Sequence, residues 1–537
     1  MRFARCTSMK KSVTEVYLVR PKVCTAASVP LSLSPVDSDI CVRGLIVSWV
    51  FVFETSLDPD LMRESLSEAL VTYPIIAGRA SLRARRSLRM ELDIILEDAG
   101  VAFELESSDL TRNEFVGEKS QRTHLKAQRP SRFFCDSVRP IRAFHSAVQC
   151  PGTLMAAKLT ILKGTGSVLG ISWSHSICDG NAMMTFIDYW AFLCRHKRHS
   201  VLASLRTLQI PSHDRLGVVD CARGNVRPFP AIRGAQDELQ ISFSGCALKL
   251  QAAGEFANIA MTRLAQERIY FSSADVAALK RAFHNHTAIH LGGEGYLSAN
   301  DAVVCFLWCF LRRLKRYRKD AANVYSYKSC LCMIWRQLMA PSFDSERINN
   351  FASFAIQAIN MRGREICGFN PEMFGNASMM SVSKLSEDRV YPGAMLRSIR
   401  YSVMRAKNTP REQLRGTILG LVNSCDDEVL RLSLFSLQLA DSFSSSWQFP
   451  LWKVDFGIGG RHDLKPHPEL LKISGINYPH SRPVWFSGTV YPQAPFTSCV
   501  VPQEGGRDIC VNVTVPVNLV DILGEYASGV VAELREI

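Results

Sequence analysis

Strand-like and helix-like runs of hydrophobic residues alternate along the chain. Residues 41–53 are rich in β-branched and aromatic side chains, which predicts a well-buried strand. Over residues 60–72 the apolar positions follow helical spacing, and Pro74 lies just beyond the predicted end of this helix. The alternation of the two kinds of element favours a mixed α/β protein.

Two strands, a helix and a crossover are predicted next. The runs at 154–162 and 167–173 predict strands, and the apolar positions of 181–194 predict a helix. Over residues 196–254 periodicity fades while Pro, Gly and Arg accumulate, so this segment is predicted to connect two halves of the protein.

The same alternation restarts in the second half. A strand is predicted at 268–271, Ser273 is predicted to cap a helix that runs to about Phe283, and Ser298 opens a longer helix with one apolar stripe. The other predicted elements are strands at 351–361, 483–491 and 509–515 and helices near 390–406 and 426–440.

The composition is that of a globular protein with a sizeable core. The 537 residues are 47% hydrophobic and 21% charged, which excludes a disordered chain. The longest apolar run, residues 44–53, is about half the roughly 20 residues of a spanning helix, so no membrane span is predicted. Residues 1–12 are basic without a following apolar stretch. We therefore expect no secretory signal and a cytoplasmic protein, with a short organelle-targeting tail left open.

Cysteines and net charge narrow the chemistry further. The 17 cysteines are scattered without a CxxC pair, so no zinc site is predicted; reduced thiols are expected and disulfides are the alternative. The net charge of +13 is concentrated at 79–89 and 312–319, which lack the repeated interleaving of aromatic residues that is typical of a single-strand binder. Solvated faces are the expected interpretation, and a polyphosphate site or nucleic-acid contact are the alternatives.

The strongest candidate for chemistry is His175, within the sequence SHSICDG between a buried strand and an amphipathic helix. At a strand's end, on a turn that Gly180 helps to close, an imidazole is held rigidly yet stays accessible. Because imidazole titrates near neutral pH, it can take a proton from an alcohol or amine attacking an acyl carbon. Asp179 can orient the loop or the ring. A purely structural histidine is the alternative on this motif alone.

The remaining motifs point to structure rather than chemistry. His284, His286 and His290 lack the helical pairing with an acid that a metal site requires, so no metal is predicted. Residues 455–459, Asp-Phe-Gly-Ile-Gly, predict a turn, because no following Lys-Ser/Thr supports a phosphate loop and no HRD sequence supports a kinase.

Together, these motifs resemble those of the plant-type BAHD acyltransferases, which use acyl-coenzyme A. The order of HxxxDG and DFGxG matches, and the resemblance extends over nearly the whole chain. Further similar segments are 33–37 (LSPVD), 66–79 (LSEALVTYPIIAGR), 298–301 (SAND) with Leu307-Trp308, 360–364 (NMRGR), 374–376 (FGN) and Ser446-Trp447.

The resemblance implies two chloramphenicol-acetyltransferase-like α/β domains with a channel between them. The implied boundaries are 1–215 for the domain carrying HxxxD, 216–260 for a crossover linker and 261–537 for the domain carrying DFGxG. Coenzyme A would enter from one face and the acceptor from the other, with His175 midway.

The resemblance also implies roles for individual residues. His175 would be the general base, and Asp179 would point away from the reaction to pair with Arg362, in a geometry suited to a bidentate contact. Asp455, Phe456, Gly457 and Gly459 would be structural, as would Gly180. The expected substrate-binding residues are Ser298, Asn300, Asn376 and Ser381, with oxyanion donors expected within 376–381.

Some positions depart from the family pattern. Ile458 stands where Trp is usual, Gly460-Arg461 replaces a basic-Pro ending, and Met380 stands where a small hydroxyl residue is common. The expected activity is acyl transfer from acyl-coenzyme A to an alcohol or amine by a monomer, without resident cofactor, metal, nucleic acid or membrane span. A condensation-like enzyme using a carrier-bound thioester and a non-catalytic small-molecule-binding protein are the alternatives.

Overall fold

A computed structural model describes most of the two halves of the chain. The described residues are 14–23, 29–33, 37, 42, 44–84, 90–112, 133–135, 153–164, 166–197, 263–287, 297–325, 353–363, 370–385, 392–409, 440–445, 449, 451–457, 481–491, 496–503 and 508–523. The predicted crossover at 216–260 and most of the predicted helix near 426–440 lie outside them.

Strands and helices alternate in this part of the chain, and the mixed α/β class is confirmed. The strands are β1 Thr14–Val19, β2 Val29–Ser32, β3 Ile46–Phe53, β4 Arg79–Ala84, β5 Met90–Leu96, β6 Val101–Ser108, β7 Met155–Leu162, β8 Ser167–Ser174, β9 Leu264–Phe271, β10 Ser353–Asn360, β11 Ser378–Leu385, β12 Ala440–Ser445, β13 Pro483–Tyr491, β14 Thr497–Pro502 and β15 Ile509–Pro516. The helices are α1 Pro59–Thr72, α2 Gly180–Lys197, α3 Ser273–Thr287, α4 Ala299–Tyr325 and α5 Pro392–Lys407. Three short 3₁₀ helices are Pro74–Ala77, Leu451–Lys453 and Val517–Leu519.

The N-terminal lobe is built on a six-stranded sheet in the order β1-β6-β7-β8-β3-β13. Every residue of β3 and β8 is buried, which agrees with their continuous apolar sequences. Trp49, Phe51 and Phe53 of β3 pack into one core with α1 and α2, because alternate side chains of a strand share a face. Trp190 Nε1 of α2 donates to the carbonyl oxygen of Met62 at 3.1 Å and fastens the two helices together.

The C-terminal lobe repeats this layered arrangement. Its six-stranded sheet has the order β11-β10-β12-β14-β15-β9, and α3, α4 and α5 pack over one face of it. Val511, Val513 and Val515 of β15 contribute to this second core. A separate three-stranded sheet, β2-β5-β4, belongs to the N-terminal part of the chain.

One strand crosses between the lobes. β13 comes from the C-terminal part of the chain but pairs antiparallel with β3, from Pro483 opposite Phe53 to Tyr491 opposite Ile46. The boundaries drawn from the sequence do not include this exchange, since they divide the chain into consecutive domains. A strand from the C-terminal part of the chain therefore completes the N-terminal sheet.

Local sequence explains where the first helix begins. The side chain of Asp58 accepts hydrogen bonds from the backbone N–H groups of Asp60 and Leu61, and proline occupies the first helical position. These features satisfy donors that a helix start leaves unpaired. The observed helix begins at Pro59, one residue before the predicted start.

Elsewhere the structure differs from the predictions in detail. The strand predicted at 41–53 begins at Ile46, and the strand predicted at 268–271 begins at Leu264. Ala440, predicted at a helix end, instead begins β12. The expectation of a solvated face at 312–319 is wrong at Arg312, which is 7% exposed and belongs to the side of α4 that faces the core.

The described residues contain few groups suited to metals or crosslinks. The described cysteines, all free thiols, are Cys135, Cys178, Cys194, Cys305, Cys309, Cys499 and Cys510. Among the described residues, no group of three or more His, Cys, Asp or Glu side chains is arranged to hold a metal ion. None of the helices in this part of the chain combines the length and apolar character needed to cross a bilayer.

The close contact of β13 with β3 generates a stability prediction. A Cβ atom added to Gly488 would lie 2.8 Å from Cδ1 of Trp49. That indole is held among other rings, 4.9 Å from Trp173 and 5.5 Å from Phe486 between centroids, so it has little room to move. Gly488→Ala should lower the free energy of unfolding by about 1–3 kcal/mol, measured by urea denaturation.

Val490→Ala is the matched control on the same strand. Val490 is 37% exposed, so its truncation should change stability by about 0.5 kcal/mol or less. Equal effects of the two substitutions would contradict the packing argument.

Candidate active site

His175 lies just after β8, near the middle of the N-terminal sheet. β8 is buried along its whole length and lies between β7 and β3. The backbone N–H of His175 donates to the carbonyl oxygen of Leu45 at 2.9 Å, and that of Ser174 donates to Leu154 at 2.8 Å. These bonds fix the backbone at the point where the histidine leaves the sheet.

The imidazole of His175 is half-buried. Its Nδ1 atom is buried without a hydrogen-bond partner among the described residues. The loop that follows is packed, with Ile177 and Cys178 fully buried. A ring in a rigid backbone setting, with no described side chain bound to it, is suited to exchange a proton with a bound molecule.

The carboxylate of Asp179 is bound by groups other than the imidazole. Its Oδ1 accepts from the backbone N–H of Ala182 at 3.0 Å, at the start of α2. Its Oδ2 accepts from Arg362 Nη1 at 2.7 Å, from the N–H of Ala377 at 3.0 Å and from Ser378 Oγ at 3.3 Å. Asp179 therefore ties the loop after β8 to the C-terminal lobe.

Opposing effects act on the pKa of Asp179. Burial raises it, but the charge and hydrogen bond of Arg362 and the N–H groups of Ala377 and Ala182 outweigh burial. The net result is a pKa below the ordinary value of 3.8, so the folded protein favours the ionised form.

Arg362 uses its guanidinium to join three parts of this junction. Besides Asp179, Nη1 reaches Asn360 Oδ1 at 3.3 Å, Nε donates to the carbonyl oxygen of Met373 at 2.9 Å, and Nη2 donates to that of Gly375. The contact with Asp179 involves one nitrogen and is not the bidentate pair that the sequence analysis expected. Both side chains are almost completely buried.

Asn376 holds the backbone of His175 from the other side. Its Nδ2 donates to the carbonyl oxygen of His175 at 2.8 Å and to Asp37 Oδ1 at 2.8 Å, and its backbone N–H donates to the same Asp37 oxygen at 2.9 Å. Both hydrogens of the Asn376 amide are therefore engaged within the protein. The structure places Asn376 as a support for the histidine rather than as a free donor.

Asp37 is the residue of this site that the sequence analysis missed. It is completely buried and contacts Asn376 across the junction of the lobes. The segment LSPVD supported the family resemblance, but it gave no indication of what the acid contacts. Its partner lies far away in the sequence, and only the fold brings the two together.

The other predicted substrate-binding residues have no hydrogen bond to His175 among the described residues. Ser298 Oγ accepts from the N–H of Asp301 at 3.1 Å and caps α4. Asn300, also at this helix start, has a buried Oδ1 without a hydrogen-bond partner among the described residues. Ser381 is buried on the face of β11 that alternates with Ser378, so it points to the helix layer.

Two side-chain donors of the segment 376–381 are engaged within the protein. The Asn376 amide and the Ser378 hydroxyl both donate to protein acceptors, and Ser381 lies on the opposite face of the strand. Met380, on the same face as Ser378, is 63% exposed and carries no donor.

Asp455 secures the second motif to the N-terminal lobe. Its Oδ1 accepts from the N–H groups of Gly457 at 3.0 Å and Ser481 at 2.9 Å, and its Oδ2 accepts from Arg195 Nη1 of α2 at 3.3 Å. Gly457 has a φ of 75°, a conformation that favours glycine. This motif thus links the helix after His175 to the start of β13.

Phe456 and Gly180, which the sequence analysis predicted to be structural, both lie in close packing contacts. Phe456 packs edge-on against Phe53 and Trp190 in the N-terminal core. Gly180 begins α2, where an added Cβ would lie 3.0 Å from Phe449 and 3.1 Å from Trp49, so it serves close packing. Gly459 and Ile458 lie outside the described residues.

Comparison with known proteins shows the fold of this chain and a partial similarity to one family. The model of the Transferase family matches residues 9–231. Vinorine synthase superposes with a TM-score of 0.57 and 14% identity, covering 96% of each chain. TRI101 of F. graminearum, in complex with coenzyme A and T-2 mycotoxin, gives a TM-score of 0.61 at 14% identity, covering 92% of this chain and 96% of that chain. These superpositions establish a two-lobed α/β fold shared with those proteins.

Curated relatives match over shorter stretches. Hydroxycinnamoyltransferase 1 of Oryza sativa subsp. japonica is 29% identical over 157 residues, covering 29% of this chain and 32% of the relative. An Arabidopsis thaliana enzyme, malonyl-CoA:anthocyanidin 5-O-glucoside-6''-O-malonyltransferase, is 25% identical over 223 residues, covering 39% of this chain and 43% of the relative. Each match spans less than half of the relative's length.

The chain is thus similar to the Transferase family over residues 9–231, and it shares its fold with vinorine synthase and TRI101.

The buried ion pair generates a prediction about acid stability. Asp179→Asn should lower the free energy of unfolding at pH 7 by about 3–5 kcal/mol, because it leaves the Arg362 charge uncompensated. A lowered pKa stabilises the fold above the ordinary value of 3.8 and loses this effect as pH falls through the folded-state pKa. Urea unfolding from pH 7 down to pH 2 should show the gap to wild type narrowing below about pH 4.

Asp60→Asn is the matched control for this series. Asp60 pairs with Arg63 at the surface and its side chain is 80% exposed, so little change is expected. A gap between wild type and Asp179→Asn that stays constant with pH would contradict the assigned ionisation.

The contacts of Asn376 generate a second prediction. Asn376→Asp replaces a donor by an acceptor facing Asp37 and the His175 carbonyl, so stability should fall by about 1–3 kcal/mol in urea unfolding at pH 7. Asn518→Asp, at an exposed position, is the control and should be nearly neutral. A fully stable Asn376→Asp protein would rule out the assigned hydrogen bonds.

Proposed function

We propose that this protein transfers an acyl group from acyl-coenzyme A to a hydroxyl or amine of a small-molecule acceptor, with His175 as the general base. The observation that carries the proposal is the half-buried imidazole of His175, held by its backbone and free of any described protein partner. The names of the relatives are consistent with this chemistry, since they include a hydroxycinnamoyltransferase and an enzyme named for malonyl-CoA.

The proposed reaction proceeds in a complex of protein, donor and acceptor. His175 takes the proton of the acceptor O–H or N–H as its heteroatom bonds to the thioester carbon. The tetrahedral intermediate then collapses, the carbon–sulfur bond breaks, and the protonated imidazole returns the proton to the leaving sulfur. The products are an ester or amide and free coenzyme A. The thioester is already activated, so the mechanism uses no covalent intermediate on the protein.

The hydrogen-bond networks on either side of His175 support this role. Asp179 and Arg362 are proposed as loop-orienting residues, because their contacts fix the chain four residues beyond the imidazole. Asn376 and Asp37 are proposed as positioning residues, because they fix the carbonyl of the histidine itself. A base held in this way keeps its position and orientation when a substrate binds, which lowers the entropic cost of bringing the reacting groups together.

Asn300 is proposed to face a substrate, since its side-chain oxygen is buried without a partner among the described residues. We further propose a monomer that acts in the cytoplasm without a resident cofactor.

Replacement of His175 tests the proposal. His175→Ala should lower kcat at least about 100-fold, within the roughly 10²–10⁴-fold range of general-base catalysis. Turnover is followed as free thiol released from a panel of acyl-coenzyme A donors with alcohol and amine acceptors. Circular dichroism and urea unfolding establish that the variant is folded.

Thr185→Ala, an exposed position on α2, is the matched control and should retain wild-type turnover. Near-normal thiol release by folded His175→Ala would overturn the assignment of the base. If the wild-type protein consumes no thioester with any acceptor in the panel, the proposed acyl transfer is overturned.

A further inference from the structure

A buried arginine lies where the edge strands of the two sheets meet. Arg268 is on β9, the last strand of the C-terminal sheet, and Trp485 is on β13, the last strand of the N-terminal sheet. The guanidinium carbon of Arg268 is 4.0 Å from the centroid of the Trp485 ring. This cation–π contact fixes the plane of the guanidinium group at the seam between the lobes.

The guanidinium of Arg268 has no carboxylate partner among the described residues. Arg268 is only 8% exposed, and its Nη2 is buried without a hydrogen-bond partner. Two other arginines that each carry a buried unbonded nitrogen are nevertheless paired, Arg63 with Asp60 and Arg195 with Asp455. Burial lowers the pKa of Arg268, because it disfavours the charged form, and the nearby Cys510 acts in the opposite direction.

A second unused polar atom lies beside this arginine. Asn512 of β15 is directly opposite Arg268 in the sheet register and is 2% exposed. Its Nδ2 donates to Ser487 Oγ at 3.3 Å and to the carbonyl oxygen of Gly488 at 3.2 Å, which fixes the orientation of the amide. Its Oδ1 is buried without a hydrogen-bond partner among the described residues.

These two side chains present complementary groups on one face of the sheet. The arginine offers N–H donors and a positive charge, and the asparagine offers one acceptor. A phosphate monoester or a hydroxycarboxylate satisfies both, because its oxyanion binds the guanidinium while its own O–H donates to the amide oxygen.

The strand register separates this place from the imidazole. Trp485 is opposite the end of β3 at Val52, whereas Ser174, next to His175, is opposite Ile46 at the other end. Trp485 is thus six strand positions, about 20 Å, from that end, and Gly488, which Asn512 contacts, is three positions, about 10 Å, from it. The seam at Arg268 is therefore a separate location from the acyl-transfer centre.

We propose that Arg268 and Asn512 form a binding site for the oxyanion group of a small molecule, a phosphate monoester or a hydroxycarboxylate. The bound oxyanion supplies a counter-charge that the described residues do not, at the place where β9 meets β13. The group belongs either to a free metabolite or to coenzyme A; only the coenzyme A arm of the test rests on the proposed function.

Thermal unfolding and equilibrium dialysis test the site in the full chain. Inorganic phosphate and lactate are the free probes, with sodium chloride at equal ionic strength as the reference. Saturable stabilisation of wild type by a probe is expected. Arg268→Gln should weaken probe binding roughly 10-fold or more, because it removes a charge-assisted contact.

The unliganded variant separates a binding site from a structural arginine. Without probe, Arg268→Gln should unfold no earlier than wild type, since an unpaired buried charge has been removed. A large loss of stability without probe, or unchanged probe binding, would overturn the proposal. Arg268→Lys keeps the positive charge but lacks the planar guanidinium with its paired N–H donors, so its affinity for the probe should lie between those of wild type and Arg268→Gln. This variant provides a second measurement if Arg268→Gln does not fold.

Arg63→Gln is the matched control, because Arg63 also stacks on an aromatic ring, that of Tyr17, but already pairs with Asp60. Its anion binding should equal that of wild type. If wild type binds coenzyme A more tightly than dephospho-coenzyme A, and Arg268→Gln does not, the oxyanion belongs to the coenzyme. If both proteins bind the two ligands equally, the oxyanion belongs to a free metabolite. Failure of phosphate, lactate and coenzyme A alike to bind wild type at the seam would overturn the site.

Discussion

The buried contact between Asp179 and Arg362 is the constraint on which the proposed centre depends. It joins the loop after β8 to the C-terminal lobe, at 2.7 Å and almost out of contact with water. Removing two charges from water is costly, and here several hydrogen bonds to each partner compensate for that cost. The pair therefore adds little net stability, but it favours one arrangement of the two lobes over others. Any other arrangement would leave a charge buried without its partner.

The same junction fixes the backbone of His175 while leaving its imidazole without a described partner. Asn376, itself held by Asp37, binds its carbonyl, and the carbonyl of Leu45 binds its N–H, so the described residues hold the backbone of the histidine rather than its ring. The imidazole keeps its own hydrogen-bonding capacity for another molecule. Positioning and reactivity are thus assigned to different atoms of one residue. That division is what a proton-transfer group needs when it must be both fixed in place and chemically available.

Local sequence patterns were sufficient to predict most strands and helices. They did not predict the contacts between segments that lie far apart in the sequence. The helix beginning at Pro59 and the buried strands at β3 and β8 follow from capping residues and apolar runs, which act over a few neighbours. The partners of Asp37 and the pairing of β13 with β3 depend on contacts between distant segments, which periodicity does not encode. Likewise, Ser381 was expected near the reacting atoms because it is close in sequence to the FGN segment. Strand alternation instead turns it to the opposite face.

The exchange of β13 has a consequence for how the chain reaches its folded state. Until residues 483–491 have been synthesised, β3 has an open edge, although every one of its side chains belongs to the interior of the finished protein. Loop-closure entropy makes so distant a pairing slow to form, and an uncovered apolar edge invites pairing with other chains. Ribosome-bound or truncated chains would thus expose an adhesive surface, which makes early engagement by a chaperone advantageous during translation.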